Sequence, residues 1–87
     1  MVVSGFKTEV KNLGIRIRKI RKSRKLTLQQ LGDLTGIGKS NLSRYENAKA
    51  PNIEYLTIFT IAKALDVSIS ELTNYDGPIP GGKKNVG

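Results

Sequence analysis

The chain has 87 residues, which suits one small domain, and its formal net charge is +8. It contains no cysteine and no histidine, which excludes disulfides, thiolate metal sites and the usual general base at neutral pH. The acidic residues are scattered without paired spacing, and no glycine motif follows a predicted strand. We therefore expect no enzymatic activity, no cofactor and no metal ion.

The positive charge is concentrated near the N-terminus. Residues 7–25 hold nine basic residues and one acid, so the charges of the remaining residues sum to zero. Such a local positive field favours a polyanion as partner. A solvated helix face is the more common explanation of a charge run, but this run adjoins a two-helix pattern that favours nucleic acid. No apolar run approaches membrane-spanning length and no signal peptide is evident, so we expect a cytoplasmic protein without membrane contacts.

Helix 1 is predicted from apolar residues that recur at spacings of three and four, namely Phe6, Val10, Leu13, Ile17 and Ile20. The helix should begin near Thr8 or near Asn12 and end near Arg24. Residues 1–11 are then an N-terminal arm or the start of this helix.

Helix 2 has a strong start signal. Thr27 is a good N-cap and Gln30, three residues later, completes a capping box. The helix should cover residues 28–35, with Gly36 as a left-handed C-cap. Gly32 lies in the helix interior at a cost in helix propensity, which indicates the close approach of another helix.

Helix 3 should follow after a sharp turn. Gly38 is the predicted N-cap, and Leu42 and Tyr45 point inward. The opposite side carries polar residues that share one face, namely Lys39, Ser40, Ser43, Arg44 and Asn47. A short helix with outward hydrogen-bond donors suits the major groove of DNA, which presents base-edge acceptors. A helix hairpin alone is usually structural, but glycine at 32 and 36 with these inward residues is less common and favours a DNA reader.

The rest of the chain predicts two more helices and no strand. Helix 4 should run over residues 53–65 as the central, most hydrophobic helix. Its buried residues would be Tyr55, Ile58, Phe59, Ala62 and Leu65. Ser68 and Glu71 form a second capping box, which starts helix 5. Residues 76–87 are rich in glycine and proline and predict a flexible C-terminal tail.

Several segments carry a resemblance to a known family: LGIRIRKIR from residue 13, LT at 26–27, LSRYEN from residue 42 and IAKALDVSISEL from residue 61. With the turn, they resemble the Cro/C1-type (XRE) helix-turn-helix regulators of bacteria and phages over residues 12–74. The resemblance implies an all-α, five-helix, lambda-repressor-like domain over residues 12–75, with helices 2 and 3 as the helix-turn-helix. It also implies binding to operator DNA, usually as a homodimer.

The resemblance assigns base reading to three residues, Lys39, Ser40 and Arg44. Arg44 would grip guanine O6 and N7 with two hydrogen bonds, and Lys39 would reach the same acceptors singly. Arg21 and Glu46 match a pair that commonly forms a salt bridge between helices 1 and 3. A further set would contact the DNA backbone or support the contacts: Thr27, Gln29, Asn41, Ser43, Asn47, Lys49, and, from the basic run, Arg18 and Lys22.

The chain departs from the family pattern at two informative positions. Leu28 stands where the family often has a phosphate-gripping glutamine, so Gln29 or Thr27 would have to replace that contact. Ala48 stands where the family has a glycine, so the turn is made differently or the alanine adopts a strained backbone.

The function expected from these features is sequence-specific regulation of transcription. A repressor or controller protein would bind a near-palindromic operator as a homodimer. The alternative is an antitoxin or protein-interaction module of the same fold, which contacts a toxin or polymerase. Its contact surface would be shared with dimerisation and would consist of Ile69, Leu72, Tyr75 and Ile79. Non-specific RNA binding through the basic helix ranks last.

Overall fold

The computed structural model describes residues 3–50 and 53–81, with side chains from Thr8 onward. Over these residues the fold is all-α, as expected, and contains no strand. The five helices are α1 (Val3–Ser23), α2 (Leu28–Thr35), α3 (Lys39–Glu46), α4 (Tyr55–Ala64) and α5 (Ile69–Thr73). Helix α1 begins earlier than either predicted start, so the described part of the segment 1–11 belongs to it. Residues 1 and 2 lie outside the described residues.

The predicted caps position the short helices. The Thr27 hydroxyl accepts a hydrogen bond from the Gln30 N–H at 3.0 Å, and the Gln30 side chain accepts one from the Thr27 N–H at 2.8 Å. The Ser68 and Glu71 pair repeats this exchange before α5. Gly36 ends α2 with φ 77°, in the left-handed region. Each cap satisfies backbone groups that would otherwise lose hydrogen bonds, which is typically worth about 1 kcal/mol.

All five helices contribute to one hydrophobic core. Its buried members are Leu13, Ile17 and Ile20 of α1, Leu31 of α2, Leu42 of α3, Ile61 and Ala62 of α4, Leu65 at the end of α4, and Leu72 of α5. The predicted stripe of α1 is therefore the face that packs. Helix α3 packs against this core through its inner side, where Leu42 is fully buried.

The prediction for α4 was partly wrong. Tyr55 is 64% exposed and Phe59 is 42% exposed, whereas Ile61, which was not predicted, is fully buried. Because α4 is apolar around most of its circumference, its sequence period does not select one face. Packing against α2 and α5 makes that selection and leaves the Tyr55 side in solvent.

The segment after α5 runs back along α1. Arg16, which is 2% exposed, donates hydrogen bonds to the carbonyl oxygens of Glu71 at 2.8 Å, Gly77 at 3.0 Å and Pro78 at 3.0 Å. Arg24 donates to the Pro80 carbonyl at 2.7 Å. Composition predicted a flexible tail over residues 76–87, and within it the carbonyls of residues 77, 78 and 80 have these partners. The rest of that prediction concerns residues 82–87, which lie outside the described residues.

Candidate nucleic-acid interface

The turn between α2 and α3 depends on two glycines. A Cβ at Gly32 would lie 2.9 Å from the carbonyl oxygen of Ile37, which is closer than real side chains approach. Gly32 was expected to admit a neighbouring helix, and the backbone it admits is that of the turn itself. Gly36 supplies the positive φ that reverses the chain. Leu42, on the inner side of α3, then packs into the core.

The outer side of α3 presents unpaired donors. Lys39, Ser40, Asn41 and Arg44 are exposed, and within the described part of the chain their side chains have no hydrogen-bond or ionic partner. Leu42 lies on the opposite side at 0% exposure. The three predicted base-reading residues therefore share one accessible surface, and no internal contact has to break before they bind.

An ion pair with Arg21 keeps Glu46, the acidic residue of α3, away from this surface. Arg21 Nε lies 2.6 Å from Glu46 Oε2, and Arg21 Nη2 lies 3.0 Å from Glu46 Oε1, which makes a two-point contact. The third guanidinium nitrogen donates to the Leu26 carbonyl at 2.8 Å. The Glu46 side chain is 2% exposed, so its charge is neutralised inside the protein. The face that α3 presents is consequently cationic.

Gly14 makes the contact between α1 and α3 possible, and sequence reasoning did not identify it. A Cβ at this position would lie 2.8 Å from the backbone oxygen of Glu46. Gly14 precedes Arg21 by two helical turns, so both lie on the same side of α1. The sequence feature that could have indicated this contact is a glycine two helical turns before the arginine of the ion pair.

The basic run divides into two groups. Arg18 and Lys22 are exposed, and their spacing from Gly14 and Arg21 places them on the side of α1 that borders α3. Arg16 behaves differently, because its guanidinium is buried among backbone carbonyls. Arg24 also binds the carbonyls of Leu65 and Pro80, at 2.9 and 2.7 Å. Arg16 and Arg24 thus hold the fold together rather than facing a phosphate or solvent.

The supporting residues near α2 already have internal partners. The Thr27 hydroxyl accepts a hydrogen bond from the Gln30 backbone. The Gln29 amide donates to Asp33 Oδ1 at 3.0 Å. Leu28, which replaces the family's glutamine, is half-buried against the core. Thr27 and Gln29 are both exposed, and Gln29 could turn toward a phosphate by breaking a single surface hydrogen bond.

The supporting residues after α3 form a compact turn. The Asn47 amide donates to the Ser43 carbonyl at 2.8 Å, so both residues are engaged at the end of the helix. Ala48 follows with φ 56°, and it therefore adopts the left-handed conformation usual for a glycine. Lys49 comes next, and its exposed side chain has no partner in the described part of the chain. This turn places Lys49 just past the cationic helix.

The sequence relationships agree with this geometry. A family model described as Helix-turn-helix matches residues 17–72. The chain belongs to the Cro/C1-type (XRE) helix-turn-helix family. The fold and the family are those of DNA-binding regulators rather than enzymes.

Two individual proteins illustrate how this chain relates to other members of the family. The uncharacterized HTH-type transcriptional regulator YobD of Bacillus subtilis (strain 168) is 39% identical over 67 residues, which are 75% of this chain and 58% of YobD. The chain therefore spans less than two thirds of that relative. The crystal structure of the restriction-modification controller protein C.AhdI from Aeromonas hydrophila matches with a TM-score of 0.71 and 28% identity, covering 75% of this chain and 97% of C.AhdI.

The described part of the chain contains neither a candidate membrane span nor a candidate metal centre. None of its described helices has the length and apolar character needed to cross a bilayer. Residues 3–50 and 53–81 also hold no cluster of three or more histidine, cysteine, aspartate or glutamate side chains that could bind a metal ion.

Proposed function

We propose that this helix-turn-helix regulator binds a near-palindromic operator as a homodimer, with α3 inserted in the major groove. The observation that carries the proposal is the outer face of α3. Its exposed donors have no internal partners, and the acid of the same helix is neutralised by Arg21. Such a face complements the acceptor-rich edges of base pairs.

Base selection would depend chiefly on Arg44. Its planar guanidinium can donate two parallel hydrogen bonds to guanine O6 and N7, which no other base pair presents in that arrangement. Lys39 would reach an acceptor with a single ammonium donor, and Ser40 would accept or donate according to the base. A good two-point contact contributes about 1–3 kcal/mol of discrimination against a wrong base.

Affinity without base selection would come from phosphate contacts. Lys49, Arg18 and Lys22 are the exposed cations that flank α3, and Gln29 or Thr27 would take over the contact that Leu28 cannot make. Asn41, Ser43 and Asn47 would support the same strand. Binding that uses about six to ten phosphates loses roughly 10³–10⁵ in affinity between 50 and 200 mM salt. We expect a loss of this size.

Regulation would follow from occupancy of a promoter. Two copies of α3 placed about 34–36 Å apart would enter successive major grooves of one operator. The likeness to C.AhdI supports a repressor or controller role, exerted in the cytoplasm and set by the concentration of the regulator.

The surface that the sequence assigned to the protein-interaction alternative is largely buried in the structure. Leu72 is fully buried in the core, and Ile69 and Tyr75 are half-buried against it. Ile79, at 37% exposure, is the most accessible of the four residues. These residues therefore do not form a continuous patch that would hold a toxin or polymerase.

The proposal is tested with the operator selected from a random-duplex pool. Arg44→Ala should lower discrimination between the operator and a scrambled duplex by about 1–3 kcal/mol, because the two-point contact is lost. Lys49→Ala is the matched control, since a phosphate contact weakens both duplexes alike. Fluorescence anisotropy at one salt concentration measures the affinities of wild type and both variants for the two duplexes, with duplex RNA as a competitor. Equal losses on operator and scrambled DNA for Arg44→Ala would overturn its assigned role.

A further inference from the structure

The cationic side chains of α1 that the structure describes have three different environments. Arg16 donates to backbone carbonyls of the segment after α5, and Arg21 pairs with Glu46. Lys19 lines a cleft against that same segment. The remaining cations are exposed and, within residues 3–50 and 53–81, have no hydrogen-bond or ionic partner. We call them the α1 cation row, which consists of Lys11, Arg18 and Lys22.

The α1 cation row lies on one side of the helix, next to α3. Its members follow one another at spacings of seven and four residues, which repeat close to full helical turns, so the three side chains share a face. Arg18 comes four residues after Gly14 and three residues before Arg21, through which α1 contacts the end of α3. The row therefore borders the outer face of α3 and continues that surface toward the N-terminus of α1.

The acidic groups near α1 lie on a different side of this helix. Glu9 is the one acid in α1, and it accepts the hydrogen bond from the Tyr75 hydroxyl at 2.7 Å. Asp76 lines the same cleft as Lys19, and the volume of this cleft is about 260 Å³. No acidic residue of α1 therefore lies in the cation row, whereas Lys19 shares its cleft with an acid.

The charge pattern and the length of the row suit an extended polyanion. Arg18 and Lys22 are four residues apart, and like charges at that spacing destabilise a helix. A line of phosphates beside the row would offset this repulsion. Lys11 and Lys22 are separated by about 16–17 Å along the helix axis, whereas the phosphates of one DNA strand recur at about 3.4 Å along the duplex axis. The row is therefore long enough to follow several phosphates of one strand.

We propose that the α1 cation row binds the phosphate backbone of DNA beside the segment that α3 reads, and so lengthens the bound segment by several base pairs. This inference rests on the proposed function, because α3 must enter the major groove for the row to meet the flanking strand. Duplex DNA fits better than RNA or a membrane surface, because the row is continuous with the base-reading donors of α3. Lys11 is thereby assigned to phosphate binding together with Arg18 and Lys22, and these contacts add affinity without base selection.

Duplexes of different length test the flanking contact. One carries a single half-site of the selected operator, and two others add about one helical turn (10 bp) of unrelated sequence on one side or on the other. Fluorescence anisotropy between about 50 and 200 mM salt measures the affinity and its salt dependence. Wild type should bind one of the extended duplexes more tightly, with a slope of log affinity against log salt that is steeper by about 1–3, because each phosphate contributes about 0.9. Equal slopes and affinities for the three duplexes would overturn the proposal.

A matched pair of variants tests the row itself. Lys11→Ala should reduce the salt slope on the favoured extended duplex by about 1, and it should leave binding to the half-site alone unchanged. Lys19→Ala is the control, because it removes the same charge from an exposed position of the same helix, outside the row. It should leave the difference between the duplexes as in wild type, and circular dichroism checks that both variants are folded. Equal losses for the two variants would mean a diffuse response to net charge and would refute the assignment of Lys11.

A scrambled duplex of each length separates this inference from the proposed function. If only the role of the row is wrong, wild type still prefers the half-site to the scrambled duplex, while Lys11→Ala behaves like Lys19→Ala. If the DNA function is wrong, no half-site is preferred at any length. A Lys11→Ala protein that loses affinity for duplex RNA but none for extended DNA would also overturn the inference. If both proposals are right, Lys11→Ala keeps the base preference and loses the gain from the flanking sequence.

Discussion

At the scale of single residues, the backbone at Ala48 shows how this chain replaces a family glycine. Ala48 has φ 56°, and its N–H donates to the Tyr45 carbonyl at 3.2 Å, which closes the turn after α3. A left-handed backbone brings Cβ close to the following carbonyl and costs an alanine about 1–2 kcal/mol. A second backbone hydrogen bond in the same turn, from the Lys49 N–H to the Arg44 carbonyl at 2.8 Å, helps to hold this conformation.

We predict that Ala48→Gly stabilises the protein. Glycine removes the steric cost but makes the unfolded chain more flexible, so the free energy of unfolding should rise by about 1 kcal/mol or slightly less. Urea denaturation followed by circular dichroism measures the change. The converse control is Gly36→Ala, since Gly36 has φ 77° and no atom within 4 Å of the added Cβ. It should lose about 1 kcal/mol, and a destabilised Ala48→Gly protein would contradict this account.

At the scale of elements, the crossing of α1 and α3 holds α3 in place. Gly14 lets the two backbones meet, and the buried Arg21–Glu46 pair fixes their orientation. Because the pair is surrounded by protein, either partner alone would be a buried, uncompensated charge. The same contact therefore aligns α3 and removes its acidic residue from its exposed outer face.

We predict that Gly14→Ala disrupts this crossing. The added Cβ would meet the Glu46 carbonyl oxygen at 2.8 Å, and a backbone atom cannot move away as a flexible side chain can. Overpacking of this kind typically costs about 1–3 kcal/mol of unfolding free energy, with a matching shift in the urea midpoint. Gly38→Ala is the control, because nothing lies within 4 Å of its added Cβ and its φ is −60°. Equal stabilities of the two variants would refute the close contact.

At the scale of the whole molecule, the two ends of the described chain are joined through α1. The Tyr75 hydroxyl donates to Glu9 Oε1 at 2.7 Å, and the carbonyls of residues 77, 78 and 80 accept from Arg16 and Arg24. Burial of the Tyr75 phenol, followed by the hydrogen bond and the negative charge of Glu9, raises its pKa from 10.0 to about 12. The segment after α5 is thus attached by contacts that sequence composition did not indicate.

We predict a specific loss of stability at alkaline pH. Because folding raises the pKa of Tyr75, the contribution of this residue is complete below pH 10 and is lost as pH rises toward about 12. The difference in unfolding free energy between wild type and Tyr75→Phe should therefore shrink over that interval. Urea denaturation at several pH values measures it, and Tyr55→Phe controls for loss of an exposed phenol. A difference that stays constant up to pH 12 would rule out this linkage.

The local sequence determined most of the helical framework. The bounds of α2, both capping boxes, the left-handed Gly36 and the buried stripe of α1 depend on interactions within about four residues, which a pattern can contain. The outward polar residues on α3 were predictable for the same reason, because the helical period places Ser40 and Arg44 about half a turn away from the buried Leu42.

Only the tertiary structure decided whether the other charged and apolar side chains are buried, paired or exposed to solvent. Arg16 carries the same charge whether it faces a phosphate, water or three carbonyl oxygens. The three carbonyl oxygens come together around its guanidinium only when the chain folds. The exposure of Tyr55 and Phe59 likewise depends on where α2 and α5 pack, since α4 is apolar on several sides. Charge and period are properties of a segment, whereas burial is a property of the segment together with neighbours that are distant in sequence.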